Sequence, residues 1–297
     1  KPTARRDFLL NKNALTEGVL LKELLVNDTK IDVNDRNLVN ETSTNLIINL
    51  EQKIDPGSKV NLNISWEDKI PPVPSVRYGS YDSTTMFIAY WYPQISVYDD
   101  IDGWDMFDYM GTLEMYNDFN NYDVTLTVPG GFQIWATGVW QNPDEILNEK
   151  YLSLYEKAWS SDEVIRIIRK EDLDNKDIYK SDAKNSFRFV AENVPDFAFA
   201  TSDHYLWDAT SFVVDSKTGR RVLCATAYKE SSKDFVDNAN YAKETLKYFS
   251  FEIPGIPFPY PCATVFNGAG GMEFPMIVNN GSTTSKAGTV GLTSHEL

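Results

Sequence analysis

Tyr122-Asp123-Val124-Thr125-Leu126-Thr127-Val128-Pro129-Gly130-Gly131 is the stretch on which the fold turns. Its apolar residues fall at every second position from Tyr122 to Val128, which places them on one face of a pleated strand. Pro129, lacking a backbone N–H, and the two glycines then stop the ladder. Shorter runs of the same alternation come earlier: Val19 and Leu21, Leu24 and Val26, Leu46-Ile47-Ile48 with Leu50, and Val60, Leu62, Ile64 and Trp66. Asn27-Asp28, Asp55-Pro56-Gly57 and Asn120-Asn121 supply turn chemistry between them. Half-buried strands joined by tight polar turns predict an antiparallel β-sandwich.

The period changes between about 144 and 170. Ile146, Leu147, Tyr151, Leu154, Tyr155 and Ala158 recur at three and four residues, and Val164, Ile165, Ile167 and Ile168 follow an Asp-Glu pair, so two short helices or a helical insertion are expected. Strand pattern returns with Phe187, Phe189 and Ala191, and again with Phe197 and Phe199. A different unit begins near Ala209. Val222-Leu223-Cys224-Ala225 reads as a buried strand, and Phe235, Ala239, Ala242, Leu246 and Phe249 form one helical stripe. Pro254, Pro257, Pro259 and Pro261 end that helix and hold the chain extended. The expected organisation is mainly β: a sandwich over 1–208 with its helical insertion, then the opening of an α/β domain over 209–297.

A chain of 297 residues exceeds what one hydrophobic core usually organises, which agrees with two domains. Its formal charge of −15, with no basic run longer than Arg5-Arg6 or Arg220-Arg221, offers nothing to neutralise phosphates or anionic headgroups, so nucleic acid and acidic membranes are excluded as partners. Met86-Phe87-Ile88-Ala89-Tyr90-Trp91-Tyr92 is far short of the ~20 apolar residues of a membrane-spanning helix, and no membrane insertion is expected. The opening Lys1-Pro2-Thr3-Ala4-Arg5-Arg6 is polar and holds no signal-peptide core. Cys224 and Cys262 are too few for a disulfide framework and read as buried free thiols. Asn27, Asn40, Asn63 and Asn280 each open a glycosylation acceptor pattern, which arises by chance in so Asn-rich a chain. An exported location, periplasmic or at the cell surface, is expected over a cytoplasmic one.

Chemistry is concentrated near the end. In Gly270-Gly271-Met272-Glu273-Phe274-Pro275-Met276 the paired glycines permit close backbone approach, and the carboxylate of Glu273 sits among apolar residues. Such a carboxylate suits a free α-ammonium; a solvated Glu on an edge strand is the alternative. The last five residues are Thr293-Ser294-His295-Glu296-Leu297. In an H-E-x-x-H helix two His four residues apart hold Zn²⁺ and the Glu activates its water; alone, His-Glu-Leu reads as a solvated C-terminal end rather than a metal motif.

Together with Pro257-Phe258-Pro259-Tyr260-Pro261, these runs are similar in order and spacing to the aminopeptidase N and leukotriene hydrolase family of gluzincins. Upstream, Trp91-Tyr92-Pro93-Gln94, Asp102-Gly103-Trp104, Tyr122-Asp123-Val124 with Val128-Pro129, Ala136-Thr137-Gly138 and Asn193-Val194-Pro195-Asp196-Phe197-Ala198 resemble that family's N-terminal sandwich. The likeness runs from about Trp91 to the end; before Trp91 only strand pattern supports it.

The resemblance implies a thermolysin-like catalytic domain that is incomplete here, with the chain ending inside the zinc motif. It makes His295 the first zinc ligand and Glu296 the general base. Glu273 would bind the substrate's N-terminal ammonium, with Gly270, Gly271 and Met272 lining the peptide and Gln94 reaching its first pocket. The parent would hydrolyse N-terminal residues from peptides with zinc. This chain, lacking the second His, the third ligand and the oxyanion-binding Tyr, is expected to be inactive and without zinc. Phe274 departs from the family's commonest motif, which has Asn there. A sheet cut off before its main helices is expected to leave one face bare, for the remainder of the domain or a second chain to cover. A non-catalytic binding module or pseudoenzyme of the same fold is the alternative.

Other motifs weigh less. His204 has no partner at metal-ligand spacing and reads as a hydrogen-bonded boundary His. Tyr98-Asp99-Asp100-Ile101-Asp102 lacks the twelve-residue calcium loop and reads as an exposed acidic turn. Gly268-Ala269-Gly270-Gly271 has no following Lys-Ser/Thr and is no phosphate loop.

Overall fold

The computed structural model describes residues 12–109, 115–174 and 177–297. The opening residues 1–6, read above for an export signal, lie outside them. The chain forms two compact units, one of Lys1–Pro71 with Trp91–Asp118, the other of Pro72–Tyr90 with Phe119–Leu297.

The first unit is built on the strand Leu20–Val26, which pairs antiparallel with Thr29–Lys30 on one side and Leu62–Glu67 on the other. Val26 faces Thr29 across a two-residue loop, and both loop residues, Asn27 (φ 47°) and Asp28 (φ 65°), are left-handed, as a hairpin matching strand twist requires. Leu24 and Val39 are fully buried. Val39–Glu41 pairs with Leu46–Ile48, and Tyr98–Asp99 with Gly103–Trp104.

The second unit holds three sheets. Asn120–Pro129 pairs along its length with Lys184–Val194, which also pairs with Val139–Trp140. Tyr122, Leu126 and the facing Phe187 and Phe189 keep the alternation that the sequence shows. The second sheet runs Gln133–Ala136, Phe199–Ser202, Met86–Ile88, Tyr78–Ser80, all antiparallel. The third has six strands in the order Ile165–Ile168, Leu206–Asp215, Arg220–Tyr228, Cys262–Asn267, Ile277–Asn280, Glu273–Phe274. Pairing is antiparallel except where Arg220–Tyr228, Cys262–Asn267 and Ile277–Asn280 run parallel, the first two joined through the helix Asn238–Phe251. The class is mainly β with an α/β element late in the chain, as expected.

Ile165–Ile168 is a strand where helix was expected. Its β-branched side chains fit a pleated surface, and Arg166 forms an ion pair with the buried Asp208 of the neighbouring strand. The helices of this region are Pro143–Ile146, Glu149–Ala158 and Lys170–Leu173. The pattern change near Ala209 falls inside the strand Leu206–Asp215.

The six-stranded sheet does not keep the bare face expected of it. Val222, Cys224, Ala263, Val265 and Val278 pack with Ala242 and Leu246 of the helix on one side. On the other, Phe266 meets Phe87 (5.8 Å between ring centres) and Trp135 (6.1 Å), strands of the second sheet. Every residue of Cys262–Asn267 is buried. One helix and an aromatic layer therefore suffice to dry the central strands.

Candidate active site

Glu273 and Phe274 form the edge strand, turned back on Ile277–Asn280 by Pro275 and Met276. Pro275 presets its own φ, and Met276 takes the left-handed φ of 64° that the second turn position demands. A buried Met tolerates this only because its surroundings hold it: Pro275 O accepts from Thr137 Oγ1 (2.7 Å), and Met276 O from Thr264 N (2.9 Å). Alternation along the strand then exposes Glu273 and buries Phe274 against Phe87 (5.6 Å) and Tyr90 (5.5 Å). The side chain of Phe274, where the related motif carries Asn, is a core group.

The loop ahead of this strand is fixed by Asn279, which is fully buried. Its Oδ1 accepts from Ala269 N (3.1 Å), and its Nδ2 donates to Val76 O (3.0 Å) and Tyr81 Oη (2.7 Å). Burial pushes the Tyr81 hydroxyl up to about 12, so it remains a donor, to Ser75 O at 2.6 Å. Gly270 O accepts from Gly281 N (2.9 Å), and Met272 exchanges both backbone hydrogen bonds with Asn279 (3.1 and 2.9 Å). The two glycines are thus carried on the sheet edge.

Against this edge lies the last helix, Lys286–Glu296. Ser285 caps it by accepting from Gly288 N (3.1 Å). Thr289 and Thr293, four residues apart, are its buried face. Thr293 Oγ1 donates to Asn238 Oδ1 (2.9 Å) and lies 3.5 Å from Asn280 Nδ2, tying the helix to its neighbour and to the sheet. Three residues past Thr293, Glu296 falls on the same side and reaches Gly271, where an added Cβ would collide with its Oε1. Burial pushes the Glu296 carboxyl up, the adjacent Glu273 carboxylate raises it further by charge and by hydrogen bonding, and His295 opposes both. Gly271, Glu273 and Glu296 therefore meet, and the intervening Met272 is buried.

His295 is exposed at the rim of this cluster. Among the described residues no three His, Cys, Asp or Glu side chains come together as a metal set. His295 stands as a single imidazole with no such set gathered around it, which does not fit the three protein ligands and open position of catalytic zinc. Gln94 belongs to the first unit, whereas the cluster is built within the second.

Elsewhere, His204 Nδ1 lies 2.7 Å from Asp203 Oδ1 and its Nε2 3.4 Å from Asp82 Oδ2, a hydrogen-bonded boundary position. Cys224 and Cys262 are buried free thiols. Asn280, the last glycosylation pattern, is a buried strand residue whose amide faces Thr293. The positioning groups Asn279, Asn280, Thr293, Asn238 and Tyr81 were not picked out as functional from sequence. Two Asn directly after the apolar Ile277-Val278, with no turn needed there, were the available signal.

No protein-family profile matches the chain, and no curated protein matches its sequence. Solved structures do match. They include Legionella pneumophila aminopeptidase A in complex with aspartic acid (TM-score 0.56, 13% identity, 94% of this chain and 29% of that one). An M1 zinc metallopeptidase from Deinococcus radiodurans matches with TM-score 0.55 and 11% identity over 94% of this chain and 54% of that one. A mutant two-domain M1 zinc metallopeptidase bound to L-arginine gives 0.56, 11%, 94% and 54%. At such identities the likeness is one of fold, and the chain spans between under a third and about half the length of these enzymes.

Proposed function

We propose that this chain is the front portion of a zinc metalloaminopeptidase, and that by itself it does not hydrolyse peptides. The observation that carries the reading is the meeting of Glu273, Glu296 and Gly271, two carboxyls and a backbone without a side chain at one sheet edge. A peptide lying along that edge would place its α-ammonium on Glu273, which restricts cleavage to the first residue. Glu296, its carboxyl raised above the ordinary carboxylate range by burial and by Glu273, is placed to take and return a proton. Zinc, where a longer parent completes the ligand set around His295, would supply the activated water. The fold shared with aminopeptidases agrees with this division of labour.

An aminoacyl arylamide incubated with the purified chain tests the proposal. No turnover is expected, with or without added zinc; hydrolysis abolished by a chelator would overturn the assignment of inactivity. Reading the gene onward distinguishes the parent's character. A His at the second position past Leu297 is expected; any other residue favours a pseudoenzyme or binding module, the reading that the single imidazole at the rim would then support.

A further inference from the structure

The segment Ile95–Asp108 of the first unit exposes Ile95, Tyr98, Ile101, Trp104, Met106 and Phe107 within fourteen residues, Ile101 and Phe107 each at 83%. Single exposed apolar residues are ordinary, but a concentration of this kind marks an interaction surface. Tyr98 and Trp104 pair across the hairpin, edge to face at 5.0 Å, so both rings are held in place while open to solvent. The hairpin tip is fixed from within, because Asp99 accepts from Ile101 N (3.0 Å) and Asp102 N (2.8 Å). Asp105 likewise accepts from Phe107 N (3.1 Å). Among the described residues, the carboxylates of Asp100 and Asp102 form no ion pair and no cation lies over Tyr98 or Trp104. Between Arg77 and Lys150 the sequence holds no Lys, Arg or His at all.

We propose that this hairpin surface docks a basic polypeptide segment in which Lys or Arg alternates with apolar residues. Charge selects the occupant. A guanidinium or ammonium over the electron-rich faces of Trp104 and Tyr98 meets Asp100 and Asp102 beside them, while Ile101 and Phe107 take the apolar side chains. A second copy of this chain, itself carrying −15, is repelled, as are nucleic acid and anionic lipid.

The experiment titrates a fluorescein-labelled dodecapeptide of alternating arginine and leucine into the full chain, with an alternating glutamate and leucine peptide as control. Two double variants accompany it, Tyr98→Ser with Trp104→Ser and Asp100→Asn with Asp102→Asn, all on exposed side chains, and the melting temperature of each is measured beside the titration to show that it is folded. The basic peptide should bind, more weakly in high salt, and lose about tenfold or more in affinity with either variant. The acidic peptide should not bind. The proposal is overturned if the variants bind as the parent does, if both peptides bind alike, or if the chain ignores the peptide and partitions onto phosphatidylcholine vesicles. Self-association by sedimentation that either variant abolishes would also overturn it, in favour of a second copy.

Discussion

Gly268 and Gly271 stand three residues apart in one loop and meet different obstacles. A Cβ on Gly268 would strike Asn279 Oδ1, a side chain locked by hydrogen bonds to Ala269, Val76 and Tyr81; on Gly271 it would strike the far end of the flexible Glu296 side chain. Gly268→Ala should therefore cost ~2–3 kcal/mol of stability by overpacking against an immovable neighbour. Gly271→Ala should cost under about 1 kcal/mol, because Glu296 can swing aside. Urea unfolding of the two variants checks the order. Burial gives the cysteines a pH signature of their own. It pushes the Cys262 thiol from 9.0 up to about 12, so the folded chain keeps a proton that the unfolded chain releases. The contribution is complete below pH 9 and is lost as pH rises toward about 12, and Cys262→Ala should flatten that alkaline decline. Native chain should not react with a thiol reagent at pH 8, and both thiols should react in guanidinium. Buried free thiols could be read from composition alone. The clash at Gly268 could not, because its partner lies eleven residues on and reaches it only across the sheet.

The last helix is short, and what positions Glu296 is its attachment rather than its propensity. Thr293→Val keeps the shape but removes the hydroxyl shared by Asn238 and Asn280, leaving buried amide groups without partners at a cost of ~1–3 kcal/mol. Ser285→Ala removes the cap and should cost ~1 kcal/mol. Chemical denaturation measures both, and the Thr293 change should be the larger. The helix Asn238–Phe251 was legible because its period is clean over many residues, and the strand Arg220–Tyr228 because Val222-Leu223-Cys224-Ala225 is an unbroken apolar run. Ile165–Ile168 was misread because four apolar residues in five satisfy either period. The neighbour Leu206–Asp215, with Asp208 waiting for Arg166, decides for strand.

On the scale of the whole molecule, the aromatic layer of Phe87, Trp135 and Phe266 joins segments far apart in sequence. A chain of residues 209–297 alone would lack Phe87 and Trp135, which cover the buried strands, and the partner strand Ile165–Ile168. It should bind a hydrophobic dye and unfold without a cooperative transition, whereas the full chain should unfold cooperatively; a sharp thermal transition from the short chain would contradict this. The sequence by itself determined the mainly β class, the late turn to α/β, the buried thiols and the candidacy of Glu273, His295 and Glu296, since alternation, period and residue chemistry are local properties. Only the tertiary structure decided that Glu273 and Glu296 face one another over Gly271, that Phe274 is core, and that the sheet is covered on both faces. Those facts depend on register and on contacts between residues distant in the chain, which hydrophobic pattern constrains but does not specify.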